Sequence, residues 1–138
     1  MSKQVFINFP VSDLERSVQF YEALGFTKNE MFSDERAAAL QWSDDIIFML
    51  LTHEFYAQFL KGKRVANTQD TSGTLVALSV DSRKAVQEFA EKAKLHGGEW
   101  HMAEPNKDMD GMFVLEVQDP DGNTIEPVWM DMSFNPQA

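Results

Sequence analysis

Carboxylates and imidazoles are the groups through which this chain could do chemistry, and few of them stand in suggestive places. Glu126 lies in Ile125-Glu126-Pro127-Val128, an otherwise apolar, strand-like stretch. Burial there would raise its pKa and make it a protonated donor or a general base; the competing reading is a carboxylate turned to water. His53-Glu54 resembles the start of a zinc-protease helix, but the second His of that motif is replaced by Ala57. His96 and His101 flank Gly97-Gly98 without a helical or hairpin partner, and read as solvated side chains. Asn106, Asp108, Asp110 and Gly111 copy the first half of a calcium loop, yet its twelfth position is Val117, so a turn before a strand is the better reading. Met102, Met109 and Met112 around that turn read equally as an adaptable apolar lid or as hairpin packing.

Composition narrows the field. The chain has 138 residues, 12 basic against 22 acidic side chains, three His and no Cys. One compact domain is expected at this length. The absence of Cys excludes disulfides, thiolate zinc sites, Fe–S clusters and a cysteine nucleophile. A formal charge of -10 disfavours nucleic-acid phosphates and anionic membranes, which need clustered Lys and Arg. No apolar run approaches the roughly 20 residues of a membrane span, and the opening residues do not form a signal peptide. A cytoplasmic protein, monomeric or a small oligomer, is the expectation.

Short elements must carry the candidate residues. Val5–Phe9 reads as a strand stopped by Pro10. Ser12 with Glu15 reads as a capping box opening a helix over 13–24, with Gly25 ending it. Strands are expected at 26–32, 37–42 and 46–51, then a short helix near Phe55 to Leu60 and a long polar loop over 61–74. A second series follows: strand 75–80, a helix capped at Asp81-Ser82 with Val86, Phe89, Ala90 and Ala93 inward, strands at 99–103 and 111–117, the turn Asp119-Pro120-Asp121-Gly122, and strand 124–130. Asp13, Val18 and Gln19 recur as Asp81, Val86 and Gln87 at an offset of 68 (81 − 13). Together with the repeated element order, this suggests an internal repeat. Trp42, Trp100 and Trp129 are expected in the core or an interface, and Tyr21 in packing.

The stretch from Phe9-Pro10-Val11-Ser12-Asp13-Leu14-Glu15-Arg16-Ser17 to Phe20-Tyr21 and Leu24-Gly25-Phe26, joined with Asp119-Pro120-Asp121-Gly122-Asn123-Thr124-Ile125-Glu126, resembles the vicinal oxygen chelate superfamily. That superfamily includes glyoxalase I, bleomycin-resistance proteins and extradiol dioxygenases. Met49-Leu50-Leu51-Thr52, Glu54-Phe55 and Trp129-Met130-Asp131-Met132-Ser133 are similar to its glyoxalase-related, lactoylglutathione lyase-like branch. The resemblance implies an α+β fold of paired βαβββ modules with curled mixed sheets round a cleft. The modules would span 1–62 and 75–132, with a linker at 63–74 and a loose tail at 133–138. A homodimer is also implied.

In that superfamily a divalent metal, held by His, Gln or Glu from strands of both modules, takes two substrate oxygens. The resemblance places those ligand positions here on Phe6, on Leu50 (or Met49, if the alignment slips by one), near Leu75 and on Glu126. Only Glu126 is a ligand, so the metal site is expected to be lost and no cofactor to be bound. The expected function is binding of a small, partly apolar or aromatic molecule in a cleft formed by Phe6, Leu50, Leu75, Met109, Met112 and Glu126, with Glu126 the candidate catalytic residue. The alternative is a glyoxalase-like metalloenzyme with a divalent ion, acting on a small oxygen-bearing substrate. A third class is an interaction protein that uses only its dimer surface.

Overall fold

The computed structural model describes residues 2–133. The first half of the chain forms β1 (Val5–Val11), α1 (Leu14–Ala23), β2 (Thr27–Asn29), β3 (Ala37–Ser43), β4 (Ile46–Thr52) and a one-turn helix, α2 (His53–Ala57). The second half forms β5 (Leu75–Ser79), α3 (Arg83–Leu95), β6 (Glu99–His101), β7 (Met112–Val114), β8 (Glu116–Gln118) and β9 (Thr124–Met130). The expected loose tail falls on residues of which 134–138 lie outside those described. No described helix is long and apolar enough to cross a membrane.

Each half is a mixed sheet built by one rule. In the first, β1 lies parallel to β4, β4 antiparallel to β3, and β3 antiparallel to β2. In the second, β5 lies parallel to β9, β9 antiparallel to β7 and β8, and β8 antiparallel to β6. This is the expected pair of βαβββ modules. The repeat is real, but its offset in the helices is 69 rather than 68. Asp13 caps α1 and Ser82 caps α3 (82 − 13). At that offset Ser17, Phe20, Tyr21 and Leu24 match Val86, Phe89, Ala90 and Ala93, and all eight are buried.

Three local expectations need correction. Asp13, not Ser12, caps α1: its carboxylate accepts from the Arg16 N–H at 3.1 Å, while the Ser12 hydroxyl accepts from the Arg16 guanidinium at 3.0 Å. Pro10 does not stop β1, which continues to Val11. It is tolerated because β1 is an edge strand and needs no donor on its free side. The expected strand over 111–117 is divided into β7 and β8 at Leu115. Leu115 lies opposite Pro127, whose ring nitrogen has no hydrogen to donate; the Leu115 N–H to Pro127 carbonyl bond remains, at 3.4 Å.

The helix-side faces of both sheets merge into one core. Phe9, Phe48 and Leu50 of the first module join Val76, Leu78 and Ile125 of the second, with α1 and α3 between them. Tyr21, Phe26 and Phe48 stack edge-on or tilted, with ring centres 4.9–5.7 Å apart; such pairs add about 0.5–1.5 kcal/mol each beyond their area. Trp42 extends this array to Phe89. Trp129 packs on the core margin, and Trp100 is partly exposed.

A polar clasp ties the modules together. The Tyr21 phenol donates to Asp119 Oδ2 at 2.7 Å. The backbone N–H groups of Asp121 and Asn123 donate to Asp119 Oδ1, each at 2.9 Å. The Asn123 amide donates to Asp119 Oδ2 at 3.0 Å and to the Pro10 carbonyl at 3.2 Å. Asp121 accepts from the Ser12 N–H at 3.0 Å and from Arg16 at 3.4 Å. Gly122 sits at φ +90°, and its Cα faces the Thr68 backbone so closely that a side chain would collide. Burial pushes the Asp119 pKa up, against hydrogen bonds from Asn123 and Tyr21 that pull it down. Tyr21 is held well above the usual phenol range by burial and then by the Asp119 charge.

Tyr21→Phe removes one donor from this buried carboxylate and keeps the ring. It should cost about 1–3 kcal/mol, the penalty for a buried group left short of a partner. Urea unfolding at pH 7 measures this; an unchanged midpoint would show that the clasp contributes nothing.

Candidate functional site

With their helix-side faces buried together, the sheets leave their opposite faces open. On the first sheet the register sets Phe6 beside Ile47, Asn8 beside Met49 and Pro10 beside Leu51. It also sets Ala39 beside Met49 and Gln41 beside Ile47, and Asn29 beside Ala39. β4 is apolar at every position but its last, so it supplies Phe48 and Leu50 to the core and Ile47, Met49 and Leu51 to the open face. A cavity of about 470 Å³ lies on this face, within the usual range for small-molecule pockets. Phe6, Phe32, Ala39, Ile47 and Met49 form its apolar wall, with the amides of Gln4, Asn29 and Gln41. Two of those amides are anchored: Gln4 donates to the Asp44 carbonyl at 2.8 Å, and Asn29 accepts from the Met31 N–H at 3.1 Å.

The second sheet's open face differs in chemistry. Leu75 lies beside Thr124 and Ala77 beside Glu126. Val117 pairs with Ile125, so Glu116, one step back, stands across from Glu126. His101 pairs with Glu116 from the other side. Glu116 is only 5% exposed, and the Asn106 amide donates to its Oε2 at 3.3 Å. Burial, and then the hydrogen bond and charge of Glu126, push Glu116 up to about 7, against the Asn106 hydrogen bond, which lowers it. Two carboxyls in contact without a cation between them favour keeping one proton.

The expected site residues therefore divide. Phe6 is 55% exposed and lines the cavity. Leu50 does not: it is fully buried in the core, because its parity along β4 points it at α1, and Met49 takes the cavity position. Leu75, 58% exposed, lies on the second sheet. Met112 pairs with Met130 on that sheet, and Met109 lies in the preceding loop. Glu126 is half-buried, with Glu116 and Ala77 as its neighbours rather than Phe6 and Leu50. Among the described residues, the lining of the 470 Å³ cavity comes from residues 4–49, and Leu75, Met109, Met112 and Glu126 take no part in it. Glu116 was not legible as a site residue: nothing but strand register puts it against Glu126.

The residues at the implied metal positions do not suit a divalent ion. Phe6 and Leu75 have no donor atom, and the Met49 thioether selects soft metals rather than hard divalent ones. Among the described residues, no group of three His, Asp or Glu side chains could hold a metal ion.

The Glu116 displacement has a definite sign. The folded chain keeps a proton that the unfolded chain loses between pH 4.5 and about 7, so this group's contribution to stability falls as pH rises through that window. The loss is at most about 3 kcal/mol, and less where solvent at the open face screens the pair. Glu116→Gln should flatten this dependence and become more stable relative to the parent at pH 8 than at pH 5. Urea midpoints of both proteins at the two pH values test it; parallel pH profiles would contradict it.

Comparison with known proteins places the fold. Residues 3–126 match the sequence model of the Glyoxalase/Bleomycin resistance protein/Dioxygenase superfamily. No curated protein matches the sequence. Hypothetical protein SA1046 from S. aureus superposes with a TM-score of 0.75 at 23% identity, over 94% of each chain. A glyoxalase/bleomycin resistance protein/dioxygenase family enzyme from Burkholderia phytofirmans PsJN gives 0.73 at 20% identity, over 94% of this chain and 99% of that one. A bleomycin-binding protein complexed with bleomycin gives 0.60 at 22% identity, over 93% and 98%. Such identities speak for the fold alone, whereas the sequence match covers nearly the whole chain: the protein belongs to the glyoxalase/bleomycin resistance protein/dioxygenase superfamily.

Proposed function

We propose that this protein binds a small, partly apolar or aromatic molecule without a metal ion, on the open face of its first sheet. The observation that carries this reading is the 470 Å³ cavity, where Phe6, Phe32 and Met49 supply apolar area and Gln4, Asn29 and Gln41 supply neutral hydrogen-bonding groups. Pockets of this make-up take their affinity from apolar burial and their orientation from a few polar contacts. One solved structure of the same fold is a bleomycin-binding protein complexed with bleomycin, which supports binding as a role this fold can serve.

The same reading takes the protein to be cytoplasmic and a homodimer, with a second copy covering the exposed apolar side chains Leu75 and Met130 of the second sheet. Light scattering on the eluting peak should return twice the chain mass.

A second reading, a glyoxalase-like metalloenzyme, draws on one observation: Glu116, Glu126 and His101 share the second sheet's open face, although among the described residues no three such side chains converge closely enough to hold an ion. Thermal shift separates the two readings, because binding to the native state at 100 times Kd stabilises by about 2.7 kcal/mol. 1-Naphthol should raise the Tm by a few degrees, whereas nickel, zinc and manganese should leave it unchanged. Met49→Arg should weaken 1-naphthol at least tenfold. A metal-dependent rise abolished by Glu126→Gln, with turnover of the glutathione–methylglyoxal hemithioacetal, would reverse the ranking.

A further inference from the structure

The 470 Å³ cavity is not isolated. Along β4, Ile47 and Met49 line it, and Leu51 lines a second cavity of about 340 Å³ with Asn8, Tyr56, Phe59 and Leu60. Asn8 is the strand neighbour of Met49, so the two cavities adjoin on one row of the open face. From Ile47 to Leu51 that row spans about 13 Å at roughly 3.3 Å per residue. A third, smaller cavity of about 160 Å³ shares Asn8 and Tyr56 with the second, and its further walls include the hydroxyls of Thr71, Ser72 and Thr74.

Charge is what these spaces lack. A quarter of the chain is Asp, Glu, Lys or Arg, with a net charge of -10. Yet none of the described residues lining the three cavities is Asp, Glu, Lys, Arg or His. Their polar groups are amides and hydroxyls. A charged ligand brought here would lose its water and gain no counter-charge, at a cost of several kcal/mol or more. An uncharged hydrogen-bonding group would be met by Asn8, Gln41 and Tyr56 without that penalty.

We propose that the groove takes an elongated, electrically neutral ligand: one apolar ring or chain against Phe6 and Met49, a second against Leu51 and Phe59, with the Asn8 amide between them. This rests on the reading of the first sheet's open face as the binding site, and names the class of molecule bound there.

Two dyes sharing one skeleton test it. N-phenyl-1-naphthylamine is neutral and long enough to reach from one cavity to the other. 8-Anilino-1-naphthalenesulfonate adds only a sulfonate. Fluorescence titration of the intact protein should give saturable binding of the neutral dye, with a Kd at least tenfold below that of the sulfonate. Phe59, 68% exposed, can be truncated with little effect on folding. Phe59→Ala should weaken the neutral dye at least threefold while leaving 1-naphthol, which fills one cavity, unchanged. If the sulfonate binds as tightly as the neutral dye, the inference of neutrality is overturned while the apolar site stands. If Phe59→Ala leaves the neutral dye unaffected, the two-cavity span is overturned. If neither dye nor 1-naphthol binds, the site reading itself is overturned with it.

Discussion

The carboxylate of Asp119 is the constraint on which the rest of this molecule depends. It is nearly inaccessible and is held by a phenol from α1, two backbone N–H groups of its own turn and the Asn123 side chain. A buried carboxylate without such donors would cost several kcal/mol. Meeting its requirements locks the β8–β9 turn against the last turn of α1 through Tyr21, and Asp121 secures the start of the same helix through Ser12 and Arg16. Once that contact is made, α1 and α3 share one core between the sheets, and the faces turned away from the helices are left for function.

Those open faces have diverged although their frames are alike. Matching strand registers equate Phe6 with Leu75, Asn8 with Ala77, Ala39 with Glu116, Gln41 with Gln118 and Met49 with Glu126. The first face is apolar with neutral amides, and it holds a cavity. The second carries a pair of carboxyls, one of them deeply buried. The superfamily's usual chemistry needs several ligands to converge, and only one of its implied positions here, Glu126, has kept a hard donor. What remains in the first sheet suits burial of a ligand rather than activation of one.

Much of the fold was legible because its signals are local. The short apolar runs of β1 and β5, the helical stripe of Val86, Phe89, Ala90 and Ala93, and the Asp119-Pro120-Asp121-Gly122 turn all follow from short-range rules. The failures arise where a residue's neighbour comes from elsewhere. Leu50 and Met49 sit in a strand apolar on both faces, so alternation could not say which one points at the core. Asp13 and Ser12 are both good caps, and Asp121 engages the Ser12 N–H from 109 residues away. The offset of 68 matched three identities, while at the structural offset of 69 only Phe20 and Phe89 of the four buried pairs share a residue type, too few for identity to single out. Glu116 meets Glu126 only through strand register, and the cavity's described lining is likewise assembled by the pairing of β1, β2, β3 and β4.

The central claim is that ligand binding belongs to the first sheet's open face. Methyl NMR on protein labelled at its eight methionines tests it most directly, because Met49 lies in the cavity while Met109, Met112 and Met130 belong to the second module. Addition of N-phenyl-1-naphthylamine should shift and broaden the Met49 methyl signal, identified through Met49→Leu, and leave the other three in place. Movement of Met109 and Met112 with Met49 unchanged would contradict the account.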